Sequence, residues 1–117
     1  MAVLSTGPIE NSPVSGVRPI QQVTVKMVNR DVVNSSTILI QGYVLNGLRT
    51  LFVLEVIVLA PNAVATRNYI ANFNAYEFVF TTSGLAEEST DISVWGKNGS
   101  GTIIGAQRIV ADEQLQS

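Results

Sequence analysis

Apolar and polar residues alternate along most of this chain with the period of two that a half-buried β-strand requires. The clearest run is Val23, Val25 and Met27, which alternate with Thr24 and Lys26. No stretch repeats apolar residues at helical spacing with capping residues, so no helix is predicted. Further strands are predicted over residues 37–45, 49–59, 64–70, 76–81, 91–97 and 102–110.

Turn residues separate these predicted strands at regular intervals. Asn46 and Gly47 stand between two apolar runs, and because both residue types tolerate a positive φ, a β-hairpin is predicted there. Pro61 ends the run over residues 49–59, and residues 98–101 (NGSG) form another turn. Many short strands with such punctuation predict an all-β chain folded as a single β-sandwich, of jelly-roll or immunoglobulin-like type.

The run over residues 49–59 is apolar on both faces apart from Glu55. Such a strand is expected between two packed surfaces rather than at a wet edge. Desolvation would raise the pKa of Glu55 unless it is paired, so an ion pair is predicted with Arg49, Arg67 or Arg108. A second stripe places Tyr76, Phe78 and Phe80 on one strand face, where large aromatic side chains predict core.

The first twenty residues differ from the rest, since they hold three of the four prolines. Proline cannot donate to a strand ladder, so residues 1–20 are predicted as an extended N-terminal arm, followed by a sandwich over residues 21–112 and a tail over 113–117. An extended arm can lie along a sheet edge or groove of a neighbouring subunit. If the arm docks on the next copy in one direction, the contact is head-to-tail and does not close, and a filament results. Deletion of residues 1–16 is then expected to leave a folded chain that does not polymerise. The arm side chains predicted to make the contact are Val3, Leu4, Ile9, Val14 and Val17.

Composition supports self-association over most other roles. Only 14% of the 117 residues are charged and the net charge is −2, so nothing favours nucleic acid or an anionic membrane as a partner. A mean hydropathy of +0.29 suggests that other copies cover part of the surface. The N-terminus lacks the positive region of a signal peptide. The longest apolar run is too short for a membrane-spanning helix.

Candidate chemistry is scarce because the chain has no Cys and no His. Their absence removes thiol catalysis, disulfides and Cys/His zinc sites, and no cofactor or metal is expected. An enzyme would need carboxylates alone, such as Glu55 converging with Glu77, and this is the least favoured alternative. The acidic stretch with Glu87, Glu88 and Asp91 lacks the spacing of a calcium loop and is expected to be solvated.

A binding or adhesion module is the main alternative to a self-assembling subunit. It would recognise a carbohydrate or a protein through its loops, with the candidate residues Asn68, Tyr69, Asn72 and Asn74. Modules of this kind need exposed aromatic rings. A solvent-facing Tyr43, Tyr69 or Trp95 would therefore favour this alternative.

Three segments resemble one family of small β-sandwich proteins, the subunits of endospore appendages of bacilli. They are QVTVKMVNRD (residues 22–31), ANFNAYEFVF (71–80) and ISVWGKNGSGTIIGAQRIV (92–110). The resemblance implies a jelly-roll subunit with an N-terminal connector at residues 1–19, in a fibre on the spore surface.

The resemblance further implies rings of a few protomers, taken here as trimers, stacked head to tail and attached to a spore-surface anchor protein. Several appendage subunits link their neighbours through connector cysteines. This chain has none, so its fibre would be non-covalent.

Overall fold

A computed structural model describes residues 2–108, which form two antiparallel β-sheets packed face to face. The first sheet has the spatial order β1, β7, β4, β5, with β2 also paired to β7, and the second has the order β6, β3, β8, β9. The all-β sandwich predicted from the sequence is confirmed. The strands are β1 (Ala2–Ser5), β2 (Ile9–Glu10), β3 (Gln22–Asn29), β4 (Ser36–Leu45), β5 (Arg49–Leu59), β6 (Val64–Ile70), β7 (Ala75–Ser83), β8 (Thr90–Lys97) and β9 (Ile103–Arg108).

Local sequence signals account for most of these bounds. β5 and β6 span the residues predicted for them, and β3, β4, β7 and β8 agree within a few residues. The β4–β5 hairpin closes through a three-residue loop, residues 46–48, in which only Gly47 has a positive φ, of 89°. Among the described residues the one helical segment is a 3₁₀ turn, Glu87–Ser89.

The core lies between the inner faces of the two sheets. Tyr76, Phe78 and Phe80 are fully buried, which confirms the predicted aromatic stripe, and Phe78 packs edge-on against Phe52 at a centroid distance of 5.9 Å. The second sheet contributes mainly β-branched and sulfur-containing side chains. The buried apolar side chains facing this aromatic row are Val23, Val25, Met27, Ile92 and Val94.

Strand β5 lies at the edge of the first sheet, so the expectation of a strand packed on both faces is wrong. Its inner residues Ile57 and Leu59 are buried, whereas Leu54 and Val56 on the outer face are 63% and 61% exposed. A strand with two apolar faces has the same sequence pattern whether its second face packs against its own chain or stays exposed. The sequence thus shows correctly that both faces of β5 are apolar, but it does not show that β5 lies at the edge of the sheet.

An N-terminal arm separate from the sandwich is not confirmed. Ala2–Ser5 pairs with residues 79–82 of β7, and Ile9–Glu10 pairs with Ala75 and Tyr76 of the same strand. The prolines fall outside these pairs, at positions where no ladder hydrogen bond is needed. The end predicted for the last strand at residue 110, and the tail over 113–117, lie outside the described residues.

Candidate functional site

The five predicted connector residues fall into two groups. Leu4 is 4% exposed and sits opposite Phe80, and Ile9 sits opposite Tyr76 and packs against the core. Val3 lies half-buried on the outer side of the same strand. The other two residues, Val14 and Val17, face each other across a tight turn and are 65% and 57% exposed.

Asn11, which the sequence did not single out, fixes the chain between these two groups. Its side chain is almost fully buried and donates to the carbonyl oxygens of Ile20 (2.7 Å), Phe73 (2.9 Å) and Ala71 (3.2 Å). Its Oδ1 accepts from the Ile20 backbone N–H at 2.9 Å. A buried amide with all these partners holds the start of β3 and the β6–β7 loop together, and removing it would leave several buried groups unpaired.

The most prominent surface feature is an apolar stripe on the outer side of β5, named the β5 face. It consists of Leu51, Leu54, Val56 and Val58, which are 44–65% exposed. Neighbouring strands extend it, because Leu39 of β4 lies beside Val56 and Tyr43 lies beside Leu51. Contiguous exposed apolar surface of this kind marks interaction sites in soluble proteins.

Charges at the margin of the β5 face neutralise one another. Arg49 Nε lies 3.2 Å from Glu77 Oε1, and its guanidinium carbon sits 3.6 Å from the centroid of the Tyr43 ring. Glu77 Oε2 also accepts a hydrogen bond from Ser5 Oγ at 2.9 Å. The β5 face is therefore bordered by a paired charge and an aromatic ring, and neither repels a second apolar surface.

Glu55 turns away from the β5 face and joins the two sheets. Arg67 Nε donates to it at 2.8 Å and the Tyr69 hydroxyl donates at 2.6 Å, both from β6 of the second sheet. These two hydrogen bonds hold the pKa of Glu55 below its usual value of 4.5, and the bond from Arg67 has the larger effect on that pKa. Burial and the adjacent carboxylate raise the pKa of Tyr69. The predicted ion pair is thus made with Arg67, one of the three candidates.

No catalytic carboxylate pair forms from the acids that the sequence suggested. Glu55 is opposite Ile40 on the inner row of β4, whereas Glu77 is opposite Tyr43 on the outer row, so the two lie on different faces of the first sheet. Among the described residues no three His, Cys, Asp or Glu residues cluster as metal ligands. Over the same residues no helix has the length and hydropathy to span a membrane.

The four residues suggested for ligand binding all make hydrogen bonds within the chain, and two of them, Asn68 and Tyr69, lie on strand β6 rather than in a loop. Asn72 and Asn74 accept hydrogen bonds from Arg18 at 3.2 and 3.0 Å, and Asn68 accepts one from Thr24 at 2.6 Å. Tyr69 faces inward to Glu55. Trp95 is different, because it lies half-buried on the open outer face of the second sheet.

Comparisons with known proteins bear on the fold. No protein-family model matches this chain, and no curated protein matches it. The fold is similar to the crystal structure of Thermotoga maritima 1070, with a TM-score of 0.61 over 96% of this chain and 95% of that chain, at 9% sequence identity. At this identity the similarity supports the two-sheet sandwich and carries no functional assignment.

Proposed function

We propose that this chain is a non-catalytic structural subunit that assembles with copies of itself into a non-covalent fibre, of the kind found on the surface of spores. The observation that carries the proposal is the β5 face, an exposed apolar stripe on an edge strand. Natural edge strands normally carry charged residues or proline, which prevent pairing with other chains. Between residues 50 and 58 the single charged residue is Glu55, and it is directed inward. Burial of side chains as exposed as Leu54 and Val56 stabilises a contact by on the order of 1 kcal/mol each.

The N-terminal strand supplies the connection along the fibre. In the described chain β1 completes the first sheet by pairing with its own β7, so a subunit can reach its neighbour by giving β1 to the neighbour's β7 and receiving another β1 in exchange. The segment between β1 and β2 suits this role, because Gly7 has a φ of 69° and is followed by Pro8, which together break the strand. The same backbone hydrogen bonds form within or between subunits, so exchange costs little.

The test compares the full chain with a chain lacking residues 1–6, by negative-stain electron microscopy and sedimentation. Filaments are expected from the first and folded discrete particles from the second. The deletion stops before Ile9 because deletion through residue 16 would also remove Asn11, whose buried hydrogen bonds hold the sandwich together.

Two matched variants test whether docking of β1 is what joins the subunits. Leu4→Asp places a charge where the arm side chain is buried against the sheet, so it should prevent docking of β1 in either arrangement. Val14→Asp changes an exposed residue of the same segment and should leave filaments intact. Discrete particles from the full chain, or filaments from the chain without residues 1–6, would contradict the proposal.

A further inference from the structure

The outer face of the second sheet contains a depression around the single tryptophan of the chain. Its volume is about 160 Å³ and it is lined by Thr24, Lys26, Trp95, Lys97 and Ile103. Thr24 lies directly opposite Trp95 in the register and is 3% exposed, so the depression has a closed floor. The indole N–H donates to Ser93 Oγ at 2.9 Å, which orients the ring along β8. The polar atom of the ring is therefore already hydrogen-bonded, and the ring face is apolar.

Both lysines of the chain lie on this depression, and neither is neutralised. In residues 2–108 the ion pairs are Arg30 with Asp91, Arg49 with Glu77 and Arg67 with Glu55, so the lysine ammonium groups have no acidic partner. Lys26 makes one long hydrogen bond, 3.3 Å, to the Thr66 hydroxyl. In a chain of net charge −2 this is a local concentration of positive charge, and it is complementary to an anion.

The backbone positions of the two lysines lie on either side of Trp95 along the strand direction. Lys26 is opposite Ser93, two residues before Trp95, and Lys97 follows Trp95 by two residues. Two residues of a strand span about 7 Å, so the two backbone positions are about 14 Å apart along β8. A ligand that fills the site therefore has an apolar ring face at its centre and negative groups toward both ends.

We propose that this depression binds an acidic saccharide: a chain of pyranose rings that carries carboxylate or sulfate groups. One ring stacks its C–H face on Trp95, and the anionic groups of the flanking rings contact Lys26 and Lys97. Two cations match the charge of a short acidic sugar segment. A nucleic acid requires a basic surface with many phosphate contacts, and this chain does not have one. The site is independent of the proposed assembly, because it lies on the other sheet from the β5 face.

Tryptophan fluorescence provides a direct readout, since Trp95 is the only tryptophan. The full chain is titrated at low salt with an oligogalacturonate, with a sulfated galactan oligosaccharide, and with a neutral galactose oligosaccharide of the same length. Saturable change is expected with at least one anionic sugar and at least a hundredfold weaker binding with the neutral one. Lys26→Gln and Lys97→Gln should each weaken binding by about tenfold, as for the loss of one charge-assisted hydrogen bond.

Arg18→Gln is the matched control, because it removes one positive charge at the Asn72–Asn74 loop and should leave the affinity unchanged. A Val56→Lys chain should bind the sugar as the unaltered chain does, which separates this site from assembly. Three results would overturn the proposal: no saturable change with either anionic sugar, an undiminished response in a chain that carries both Lys26→Gln and Lys97→Gln, or tighter binding of a single-stranded oligonucleotide of equal length.

Discussion

The outer faces of the two sheets differ in what they present to solvent. On the first sheet, Leu54, Val56 and Val58 of β5 stand exposed beside Leu39, and the charges at the margin are paired with one another. On the second sheet the corresponding surface mixes threonine, asparagine and serine side chains with the separate exposed residues Val64 and Ile70, and two lysines without an acidic partner lie around Trp95. The inner faces meet in one continuous core.

This difference shows which face is suited to a permanent contact. An apolar face gains stability when another apolar face covers it and gains little from a small polar ligand. A surface region with hydroxyl groups and unpaired cations is already hydrated and is better suited to a charged ligand. The proposed assembly face and the proposed ligand site therefore lie on opposite sides of the sandwich, where one need not block the other.

The largest expected effect comes from a charge on the β5 face. Val56→Lys should abolish filaments, because assembly would bury an unpaired ammonium group and that costs several kcal/mol. The monomer should remain folded, since the side chain is 61% exposed in the single chain. Sedimentation measures the assembly, and circular dichroism with thermal melting measures the fold.

Val64→Lys on β6 is the matched control for this variant. Val64 is 66% exposed and lies on the outer face of the second sheet, so the same change there should leave assembly intact. Loss of filaments in both variants would mean that net charge, rather than the β5 face, governs association.

A smaller effect is expected from two core-facing glycines that sit beside bulges, one in each sheet. A Cβ at Gly42 would lie 3.0 Å from both Phe78 Cε1 and Val53 Cβ, and these groups are held by the core. Gly42→Ala should therefore destabilise the fold by about 1–3 kcal/mol.

Gly96→Ala in the second sheet should cost about 1 kcal/mol or less. A Cβ there would meet Cδ1 and Cγ1 of Ile20 at 2.7 and 3.0 Å, but a shift of this one side chain relieves the contact, whereas three side chains enclose Gly42. Urea denaturation of both variants measures the difference. Equal losses would show that Ile20 is held as rigidly as the aromatic row.

The smallest effect concerns Glu55, which links the edges of the two sheets. Its pKa is lower in the folded chain than in the unfolded chain, so its contribution to the free energy of unfolding is present above about pH 4.5 and is lost as the pH falls through the lowered value. The side chains of Glu55 and Arg67 are 34% and 41% exposed, so solvent screening limits the loss in Glu55→Gln to below about 1 kcal/mol at pH 7.

Denaturation series at pH 7 and at pH 3 test this expectation. The difference between Glu55→Gln and the unaltered chain should shrink at the lower pH. Asp91→Asn is the comparison variant, because its pair with Arg30 is about two-thirds exposed and should contribute little at either pH. A difference that persists unchanged at pH 3 would mean that packing, rather than charge, explains the Glu55 variant.

Local patterns were sufficient to predict most of the sandwich. Alternation located β3, and the stripe of Tyr76, Phe78 and Phe80 was correctly assigned to the core, because burial on one face leaves a period of two in the sequence. The jelly-roll and immunoglobulin-like alternatives could not be separated, since strand order depends on contacts between distant residues.

Three features could not be read from the sequence, each for a long-range reason. The place of β1 in the first sheet depends on β7, more than seventy residues away. The role of Asn11 depends on carbonyl groups of residues 20, 71 and 73. The depression around Trp95 depends on side chains from strands β3, β8 and β9. In each case an isolated residue or segment resembles an ordinary loop or strand.

The turn between Val14 and Val17 has a practical consequence. Ser15 and Gly16 both have positive φ, the chain reverses there, and residues 12–17 are all exposed. On either side the chain is held, by Asn11 before the turn and by Ile20 after it. A foreign peptide inserted between Ser15 and Gly16 would project outward without touching either sheet, and in an assembled fibre it would be displayed at every repeat.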